Sequence, residues 1–303
     1  MPKFAVNFGI PWGINLPCFR AVNTCPLDTT LMTWYFISRH GDAVLPDELL
    51  DSFAGRTLQK VMQLIHQEAY DKARWLWCRD VLELPSMNSS DDSYNMFGST
   101  AGVFHDKLPE LFRLTKMETT TCSSSYCPRV EKTKRRLHYM FDTGSSQQID
   151  QKTVDEALLR SDPTYSDPCH YEMPEFVKTE LSPDYWRTCT RFDEHGTPLN
   201  WISCRGVRIY TSVEITRLPN VLIISNMNSQ ANLDCKLPVS SLQISGQEYL
   251  LVALIYKSQV HFRSISILHG KYLYYDGMPK TRVRWIYRSE IAKTMKGYFI
   301  TEA

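Results

Sequence analysis

The sequence predicts an α+β fold, in which a helical N-terminal part precedes a separate β-rich part. Residues 46–84 repeat apolar side chains at helical spacing, as at Leu58, Val61 and Ile65. After residue 200, apolar runs bounded by turn-forming residues are instead typical of buried strands. Because these patterns occupy separate parts of the 303-residue chain, they favour α+β over an alternating α/β fold.

Three stretches of the N-terminal part carry the helical pattern. The first is the apolar run that follows Cys25. The second is 46–84, in which we expect a break at Gly55, and the third covers 101–114. Farther on, residues 142–185 are rich in Asp, Pro, Ser and Thr, which indicates loose or extended structure. A short helix over 150–160 is predicted within that stretch.

The β-rich part is predicted to form strands separated by turns. The predicted strands cover 207–216, 221–225, 249–256, 261–268 and 271–276. The last two read as a hairpin that is joined around His269–Gly270.

Composition and charge narrow the classes of function. A hydrophobic fraction of 43% and a charged fraction of 22% allow a sizeable core. A net charge of +1 argues against nucleic acid as the partner, because nucleic-acid binders are usually strongly basic. The basic run at 132–138 supports only a low-ranked hypothesis of nucleic-acid binding, and we interpret it as the solvated face of a strand.

The same sequence suggests where the protein works. No apolar segment follows a basic start at the N-terminus, and no apolar run is long enough to span a bilayer. We therefore expect a cytoplasmic or nuclear protein with no membrane partner. In that setting the nine cysteines point to metal binding, catalysis or burial, and not to a disulfide framework.

Cys25 is the first candidate for chemistry. It stands immediately before the helical run PLDTTLMTWYF, and Pro26 suits the first turn of a helix. A helix N-terminus favours a thiolate, and its N–H groups can face a developing oxyanion. The alternative is an inert thiol buried beside an apolar helix.

A histidine and an aspartate late in the chain are candidate partners for that thiol. His261 opens one predicted strand and Asp276 ends the next, fifteen residues later. Antiparallel pairing of these strands would place the carboxylate beside the imidazole, as a base and its orienting acid require. His269, in the predicted turn, is the competing base, and a purely structural His261 is the alternative.

Three blocks of sequence together resemble the ubiquitin-specific protease family (USP/UCH-type) of cysteine peptidases. The stretch NTCPLDTTLMTWYF (23–36) is similar to the cysteine box of that family. RLPNVLIISNM (217–227) is similar to its L-P-x-x-L-x-I-x-L strand, and YLLVALIYKSQVHFRSISILHGKYLYYDG (249–277) to its histidine box. The blocks follow the order of the family and span 12–290, nearly the whole chain.

The resemblance implies a fold and its parts. The fold is that of a papain-like cysteine peptidase, in one catalytic domain over residues 1–303. Its implied parts are a helical thumb (1–117), a β fingers-like insertion (118–206) and a β-rich palm (207–303).

The resemblance also implies a chemistry and a partner. It implies an isopeptidase that cleaves after the C-terminal glycine of ubiquitin or a ubiquitin-like protein and needs no cofactor for catalysis. Cys25 would be the nucleophile, His261 the general base and Asp276 the orienting acid. The C-P-L-D sequence that ends at Asp28 is also similar to the C-W-L-D box of SUMO-specific relatives, so ubiquitin and SUMO both remain candidate partners.

Two departures from the family pattern lie close to the implied triad. The family has an Asn five residues before the cysteine for the oxyanion hole, where this chain has Arg20. Asn23, Arg20 or backbone N–H groups, including that of Cys25, would have to form the hole instead. Gln259 and Val260 replace the glycines that usually precede the histidine. These departures support a second hypothesis, an inactive pseudoprotease that binds ubiquitin or SUMO or acts as a scaffold.

The middle of the chain holds a candidate structural zinc site. Cys122 and Cys127 form a C-x4-C pair, a spacing that zinc sites allow. The resemblance implies a second pair before the 217–227 block, and we assign it to Cys189 and Cys204, with Cys169–His170 as a possible replacement for one of them. The alternative is a degenerate hairpin that binds no metal.

Overall fold

The chain is described by a computed structural model, which covers most of its residues. The described residues are 3–5, 7–16, 19–41, 47–85, 93–123, 127, 130–137, 141–142, 149–159, 169, 172–174, 186–192, 194–195, 197–204, 206, 208–226, 239–258, 261–278, 282–294 and 298–302.

The chain divides into two compact units. The first unit consists of Met1–Leu114, Leu137–Leu158 and Leu218–Ala303, and the second of Thr115–Arg136 and Leu159–Arg217. The insertion predicted over 118–206 overlaps the second unit, although a segment in its middle belongs to the first. Cys25, His261 and Asp276 all lie in the first unit, whereas the candidate zinc ligands lie in the second.

Helices dominate the first unit as far as residue 112. The α-helices are α1 (Cys25–His40), α2 (Asp47–Asp51), α3 (Phe53–His66), α4 (Tyr70–Asp80), α5 (Thr100–Val103), α6 (Pro109–Phe112), α7 (Gln151–Leu159) and α8 (Arg288–Thr294). The helix that was expected after Cys25 is confirmed by α1, and the one expected over 150–160 by α7. None of the helices within the described residues is both long and apolar enough to span a membrane.

The expected helix break at Gly55 is wrong. The break falls at Ser52, whose hydroxyl oxygen accepts the N–H of Gly55 at 2.9 Å and so caps α3. Gly55 lies inside α3, where a Cβ atom would be 1.8 Å from the carbonyl oxygen of Leu49 in α2. Glycine is therefore required here because two helices approach each other closely, and it does not end a helix.

The single helix predicted over 101–114 is also wrong. A 3₁₀ turn, His105–Lys107, separates α5 from α6, and α6 begins at Pro109. Proline has no N–H to donate and is tolerated at a helix start but not in a helix interior. The interruption accompanies a buried aromatic stack in which the rings of Phe104 and Trp77 have centroids 4.9 Å apart.

Three short strands lie before residue 112, and strands predominate in the described residues after it. They are β1 (Ile14–Leu16), β2 (Phe19–Val22), β3 (Tyr94–Asn95), β4 (Leu114–Cys122), β5 (Val130–Leu137), β6 (Phe141–Asp142), β7 (Glu172–Pro174), β8 (Trp186–Phe192), β9 (Pro198–Cys204), β10 (Arg208–Arg217), β11 (Ile223–Asn226), β12 (Ser241–Ile244), β13 (Gln247–Leu250), β14 (Ala253–Ser258), β15 (His261–Leu268), β16 (Lys271–Tyr275), β17 (Val283–Ile286) and β18 (Tyr298–Glu302). Mixed helices and sheets of this kind are compatible with an α+β fold.

Four of the predicted strands are confirmed, and one is corrected. The predictions over 207–216, 221–225, 261–268 and 271–276 correspond to β10, β11, β15 and β16. The run at 249–256 is not one strand, because β13 ends at Leu250 and β14 begins at Ala253. The two strands belong to different sheets.

A seven-stranded sheet, counted over the described residues, forms the β layer of the first unit. Its strand order is β17-β16-β15-β14-β18-β11-β6, and every neighbouring pair is antiparallel except β11 with β6. Helix α1 packs on β15 of this sheet and is buried at every residue from Cys25 to Ile37. The first unit also holds the sheet β1-β2-β3 and the hairpin β12-β13.

Two smaller sheets form the second unit. They have the strand orders β10-β4-β5 and β7-β9-β8. Cys122 ends β4 and Cys204 ends β9, so the ends of two strands from different sheets carry candidate ligands.

Candidate active site and four-cysteine cluster

Cys25 is the first residue of α1. It is 4% exposed and packs with Ile255 of β14 and Phe262 of β15. Helix α1 is tied to β15 by the hydroxyl of Thr29, which donates to the carbonyl oxygen of Phe262 at 3.2 Å. The thiol is therefore placed where the helix start meets the sheet.

The residues before Cys25 turn the chain into the helix. Asn23 has a φ of 56°, a left-handed conformation that Asn tolerates better than most residues. Its side-chain amide donates to Oδ1 of Asn95 at 3.0 Å. Thr24 accepts the N–H of Gly13 at 3.0 Å and donates from the same hydroxyl to Asp28. These bonds fix the path of the chain on the N-terminal side of the thiol.

His261 lies against the same thiol from the sheet side. It is the first residue of β15 and is 8% exposed. Its Nε2 is 2.8 Å from Oδ1 of Asp276, and its ring also forms a hydrogen bond with the Cys25 side chain. Because Nε2 faces the carboxylate, Nδ1 is the nitrogen left to face the thiol.

The charges around His261 favour its protonated form. Burial alone would lower the pKa of His261, but the hydrogen bonds with Asp276 and Cys25 outweigh it and raise the pKa to about 9. Burial alone would likewise raise the pKa of Asp276. Bonds from His261, the Met278 N–H and Arg263 instead hold that pKa well below its usual range.

The structure brings together the three residues that the sequence predicted as a triad. Cys25, His261 and Asp276 form a chain of hydrogen bonds from thiol to imidazole to carboxylate. His269, the competing base, is exposed in the turn after β15 with a φ of 48°. It is eight residues along the chain from His261, which corresponds to roughly 25 Å along a strand. His269 therefore does not belong to this site.

The two residues predicted for the oxyanion hole differ in their surroundings. Asn23 lies two residues before Cys25, and one N–H of its side-chain amide is used by Asn95. Arg20 is an exposed residue of β2, opposite Asn15 of β1. Gln259 and Val260 lie outside the described residues.

A buried ion pair near the thiol was missed at the level of sequence. Asp28 of α1 and Arg74 of α4 are 2% and 0% exposed, with Oδ2 and Nη1 3.3 Å apart. Arg74 also donates to the Pro11 carbonyl oxygen at 2.6 Å and contacts Asp71. Burial raises the pKa of Asp28 to about 6, although Arg74 and Thr24 act in the opposite direction. The sequence held no signal for the pair, because Arg74 is one of three arginines in the predicted helical stretch of 46–84.

The second unit holds a cluster of four cysteine side chains. They are Cys122, Cys127, Cys169 and Cys204, and their sulfur atoms all lie within 4.8 Å of one another. The sulfurs of Cys122 and Cys204 are 3.4 Å apart, and those of Cys127 and Cys169 are 3.8 Å apart. Four thiolates around one tetrahedral zinc ion, each at a Zn–S distance of about 2.3 Å, would be about 3.8 Å apart. The spacing of the cluster fits such an ion.

Gly206 completes the packing around these sulfurs. Its N–H donates to the Cys204 sulfur at 3.2 Å, and its carbonyl oxygen accepts the N–H of Cys169 at 2.8 Å. A Cβ atom at this position would be 2.3 Å from the Cys122 sulfur. The cluster therefore has room for glycine and for no larger residue at position 206.

Three of the four predicted zinc ligands, Cys122, Cys127 and Cys204, belong to the cluster. Its fourth member is Cys169, which the sequence offered as a replacement for one of the second pair. The Cα partner of Cys189 across the β8–β9 pair is Trp201, three residues from Cys204 and so roughly 10 Å along the strand. The side chains of Cys189 and His170 lie outside the described residues.

Neither a model of a known protein family nor a curated protein matches this chain. What the candidate site can do therefore follows from its own groups. A thiol, an imidazole within hydrogen-bonding reach and a carboxylate on the far side of that imidazole are the three parts of a nucleophilic thiol hydrolase.

Proposed function

We propose that this protein is a cysteine-dependent isopeptidase, similar to a deubiquitinase, with Cys25 as the nucleophile. One observation carries the proposal: the Cys25 thiol, the His261 ring and the Asp276 carboxylate form a continuous hydrogen-bonded chain. Burial of all three side chains strengthens the electrostatic coupling among them.

The chemistry follows from the positions of these groups. His261 carries the proton given up by Cys25 as an imidazolium, and the sulfur attacks the scissile carbonyl carbon to form a tetrahedral oxyanion. The protonated imidazole then gives its proton to the leaving amine, and a thioester remains. Water, activated by His261, hydrolyses the thioester and returns the thiol. Asp276 stabilises the imidazolium in each of these steps but does not take up the proton itself.

The substrate class and fold come from the resemblance to ubiquitin-specific proteases. We propose that the scissile bond follows the C-terminal glycine of ubiquitin or a ubiquitin-like protein such as SUMO. The proposal includes a papain-like arrangement, with the helices before residue 117 as the thumb and the strands after 207 as the palm. Helix α1 packed on β15, with Cys25 at its start, supports such an arrangement.

A second candidate function is a pseudoprotease that binds a modifier without cleaving it. The surroundings of the predicted oxyanion residues favour this candidate. Asn23 uses one N–H of its side-chain amide on Asn95, which fixes the direction of that group, and Arg20 is exposed on β2. An oxyanion hole would therefore depend on backbone N–H groups at the start of α1 or on movement of these side chains.

Activity probes built on ubiquitin and on SUMO, each with a C-terminal electrophile, test the proposal. We expect the wild-type protein to form a covalent adduct with one of the probes and Cys25→Ala to form none. Cys78→Ala is the matched control, because Cys78 is also buried in the first unit but lies on α4. Labelling that persists in Cys25→Ala would refute the assignment of the nucleophile.

Two histidine variants separate the predicted bases in the same assay. His261→Ala is expected to slow labelling by at least about three orders of magnitude, because the thiol loses its base. His269→Asn should label at the wild-type rate, since Asn tolerates the left-handed backbone at this turn. Binding of a modifier with no labelling and no turnover would support the pseudoprotease instead.

We further propose that the four-cysteine cluster binds a structural zinc ion. Cys122, Cys127, Cys169 and Cys204 would be its ligands, and the Gly206 N–H would support the Cys204 thiolate. Such an ion would stabilise the second unit and take no part in the chemistry at Cys25.

A further inference from the structure

Arg263 lies on the opposite side of Asp276 from the imidazole. It follows His261 by two residues on β15, and the last residues paired between β15 and β16 are Ser264 and Tyr275. One position farther along the hairpin, Arg263 therefore comes beside Asp276. Its Nε donates to Oδ2 of Asp276 at 2.8 Å, and its side chain is 26% exposed.

The four donors to the Asp276 carboxylate divide between its two oxygens. Oδ1 is 2.8 Å from His261 Nε2 and accepts the Met278 N–H at 3.0 Å. Oδ2 accepts Arg263 Nε at 2.8 Å and the Tyr274 hydroxyl at 3.1 Å. The torsion that turns a carboxylate about its Cβ–Cγ bond is intrinsically broad, so donors to a single oxygen fix it poorly. Donors on both oxygens fix the plane of this group.

We propose that Arg263, together with Tyr274, is a positioning residue that holds Oδ2 of Asp276 and so aims Oδ1 at His261. The inference rests on the proposed function, because its purpose is to orient the base of the thiol. A guanidinium suits this task, since a charge-assisted hydrogen bond is stronger than a neutral one. The neighbouring tyrosine adds a second direction from which the same oxygen is held.

The orientation of the imidazole depends on this arrangement. If the carboxylate turns, the His261 ring loses its fixed partner, and Nδ1 no longer faces the Cys25 sulfur. Small errors in the position of a catalytic group can reduce a rate by as much as roughly 100-fold without changing how substrate binds. Loss of Arg263 is therefore expected to lower kcat while leaving KM nearly unchanged.

Kinetics on a fluorogenic modifier conjugate give the first readout. Arg263→Met is expected to lower kcat by roughly 10- to 100-fold, with KM within about two-fold of the wild-type value. Arg263→Lys, which keeps the charge and a donor, should recover most of the rate. Lys271→Met, an exposed change at the other end of the same hairpin, is the matched control and should leave both constants unchanged.

The second readout needs no substrate and decides the inference even if the protein cleaves nothing. The low-field proton NMR signal of the His261 ring N–H bonded to Asp276 is followed in the Cys25→Ala background. We expect this signal to be sharp in that background and with Arg263→Lys added, but broadened or lost with Arg263→Met. If Arg263→Met loses the signal and the wild-type protein shows no turnover, the role of Arg263 is supported and the isopeptidase is refuted.

A smaller change covers the case in which Arg263→Met fails to fold. Tyr274→Phe removes one hydroxyl and should broaden the same signal with a loss of about three-fold in kcat, since one hydrogen bond is removed. If Arg263→Met folds and its ring N–H signal is unchanged, the inference is overturned. If Arg263→Met is unfolded, an unchanged signal in Tyr274→Phe overturns it.

Discussion

The candidate active site and the four-cysteine cluster are held together in different ways. In the first unit, the Asp276 carboxylate receives hydrogen bonds from His261, Arg263, Tyr274 and the backbone of Met278. In the second unit, four sulfur atoms face one another at distances of up to 4.8 Å. Thiols are weak hydrogen-bond donors, so contacts among them contribute little stability.

This difference separates a site that the protein builds by itself from a site that an added ion would complete. Polar groups saturated with partners keep their geometry without any ligand. A thiol cluster gains most of its stability from the metal, because the binding free energy of the ion becomes folding free energy. Metal removal should therefore destabilise the four-cysteine cluster and leave the candidate active site unchanged.

Metal removal is expected to have the largest effect, and only in the second unit. The purified protein should carry one zinc ion per chain, and Cys169→Ser should lose it. Loss of the ion should lower the melting temperature of the second unit by roughly 10 °C or more. Zinc content measured by mass spectrometry, with melting followed by calorimetry, checks this prediction.

Cys189→Ser is the control for the zinc prediction, because it removes a thiol that the proposed ligand set leaves out. It should keep the metal. The low-field His261 signal should also survive treatment with a chelator. Full zinc occupancy in Cys169→Ser would refute Cys169 as a ligand. Loss of the His261 signal on chelation would show that the candidate active site also depends on the metal.

Disruption of the Asp28–Arg74 pair is expected to lower the free energy of unfolding by an intermediate amount, and only in the first unit. Arg74→Met leaves a carboxylate in a fully buried position, and breaking a buried pair from one side typically costs about 3 kcal/mol or more. The loss should be larger at pH 8 than at pH 5, because at low pH Asp28 can take up a proton and become neutral. Urea unfolding at both pH values measures it.

A second substitution sharpens the test of the buried pair. Asp28→Asn added to Arg74→Met should recover part of the stability, because no buried charge then remains. In the wild-type protein the Asp28 pKa of about 6 lies above its usual value of 3.8. Its contribution to stability is therefore fully present below about pH 4 and decreases as the pH rises through 6. Equal losses for Arg74→Met at both pH values would contradict this reasoning.

The smallest expected effect is a shift in pH dependence at the candidate active site. The His261 pKa is raised to about 9, so the imidazolium persists well above neutral pH. Because the proposed mechanism uses protonated His261, the rate of probe labelling should fall as the pH rises through 9. The contribution of His261 to folding stability is fully present below about pH 6.5 and is lost as the pH rises through 9.

Asp276→Asn tests the origin of that pKa. Without the carboxylate charge, the alkaline decline in labelling should move to lower pH by about one unit or more, because the main group that raises the pKa is gone. The pH–rate profile of the free protein measures the shift. Zinc content should not change in this variant. An alkaline decline at the same pH in both proteins would show that another group controls it.

The candidate triad could be predicted because three blocks of sequence together resemble one family, whereas each local signature is weak by itself. Cys25 precedes a clear helical pattern, and His261 and Asp276 stand at matching positions of a hairpin with a recognisable turn. The hydrogen-bonded neighbours of Asp276 were harder to find. Arg263 and Tyr274 look like ordinary strand residues until the register of β15 and β16 is known.

The errors came from places where tertiary contacts override local pattern. Gly55 suggested a break, but close contact between α2 and α3 requires it inside a helix. Position along the chain favours Cys189 and leaves Cys169 as a replacement. In the structure Cys169 bonds to Gly206 beside Cys204, whereas the backbone of Cys189 pairs opposite Trp201. The Asp28–Arg74 pair joins two helices, and nothing in either helix alone indicates it.

The short turn at His269–Gly270 has a consequence for partly unfolded molecules. Both residues have positive φ, and the turn keeps His261 and Asp276 on one hairpin within the sheet. The proposed nucleophile, Cys25, lies on α1, far from this hairpin along the chain. A molecule in which α1 detaches keeps its imidazole and carboxylate together but has no sulfur within their reach. Loosening of the structure would thus remove the proposed thiol chemistry before it could act on unintended targets.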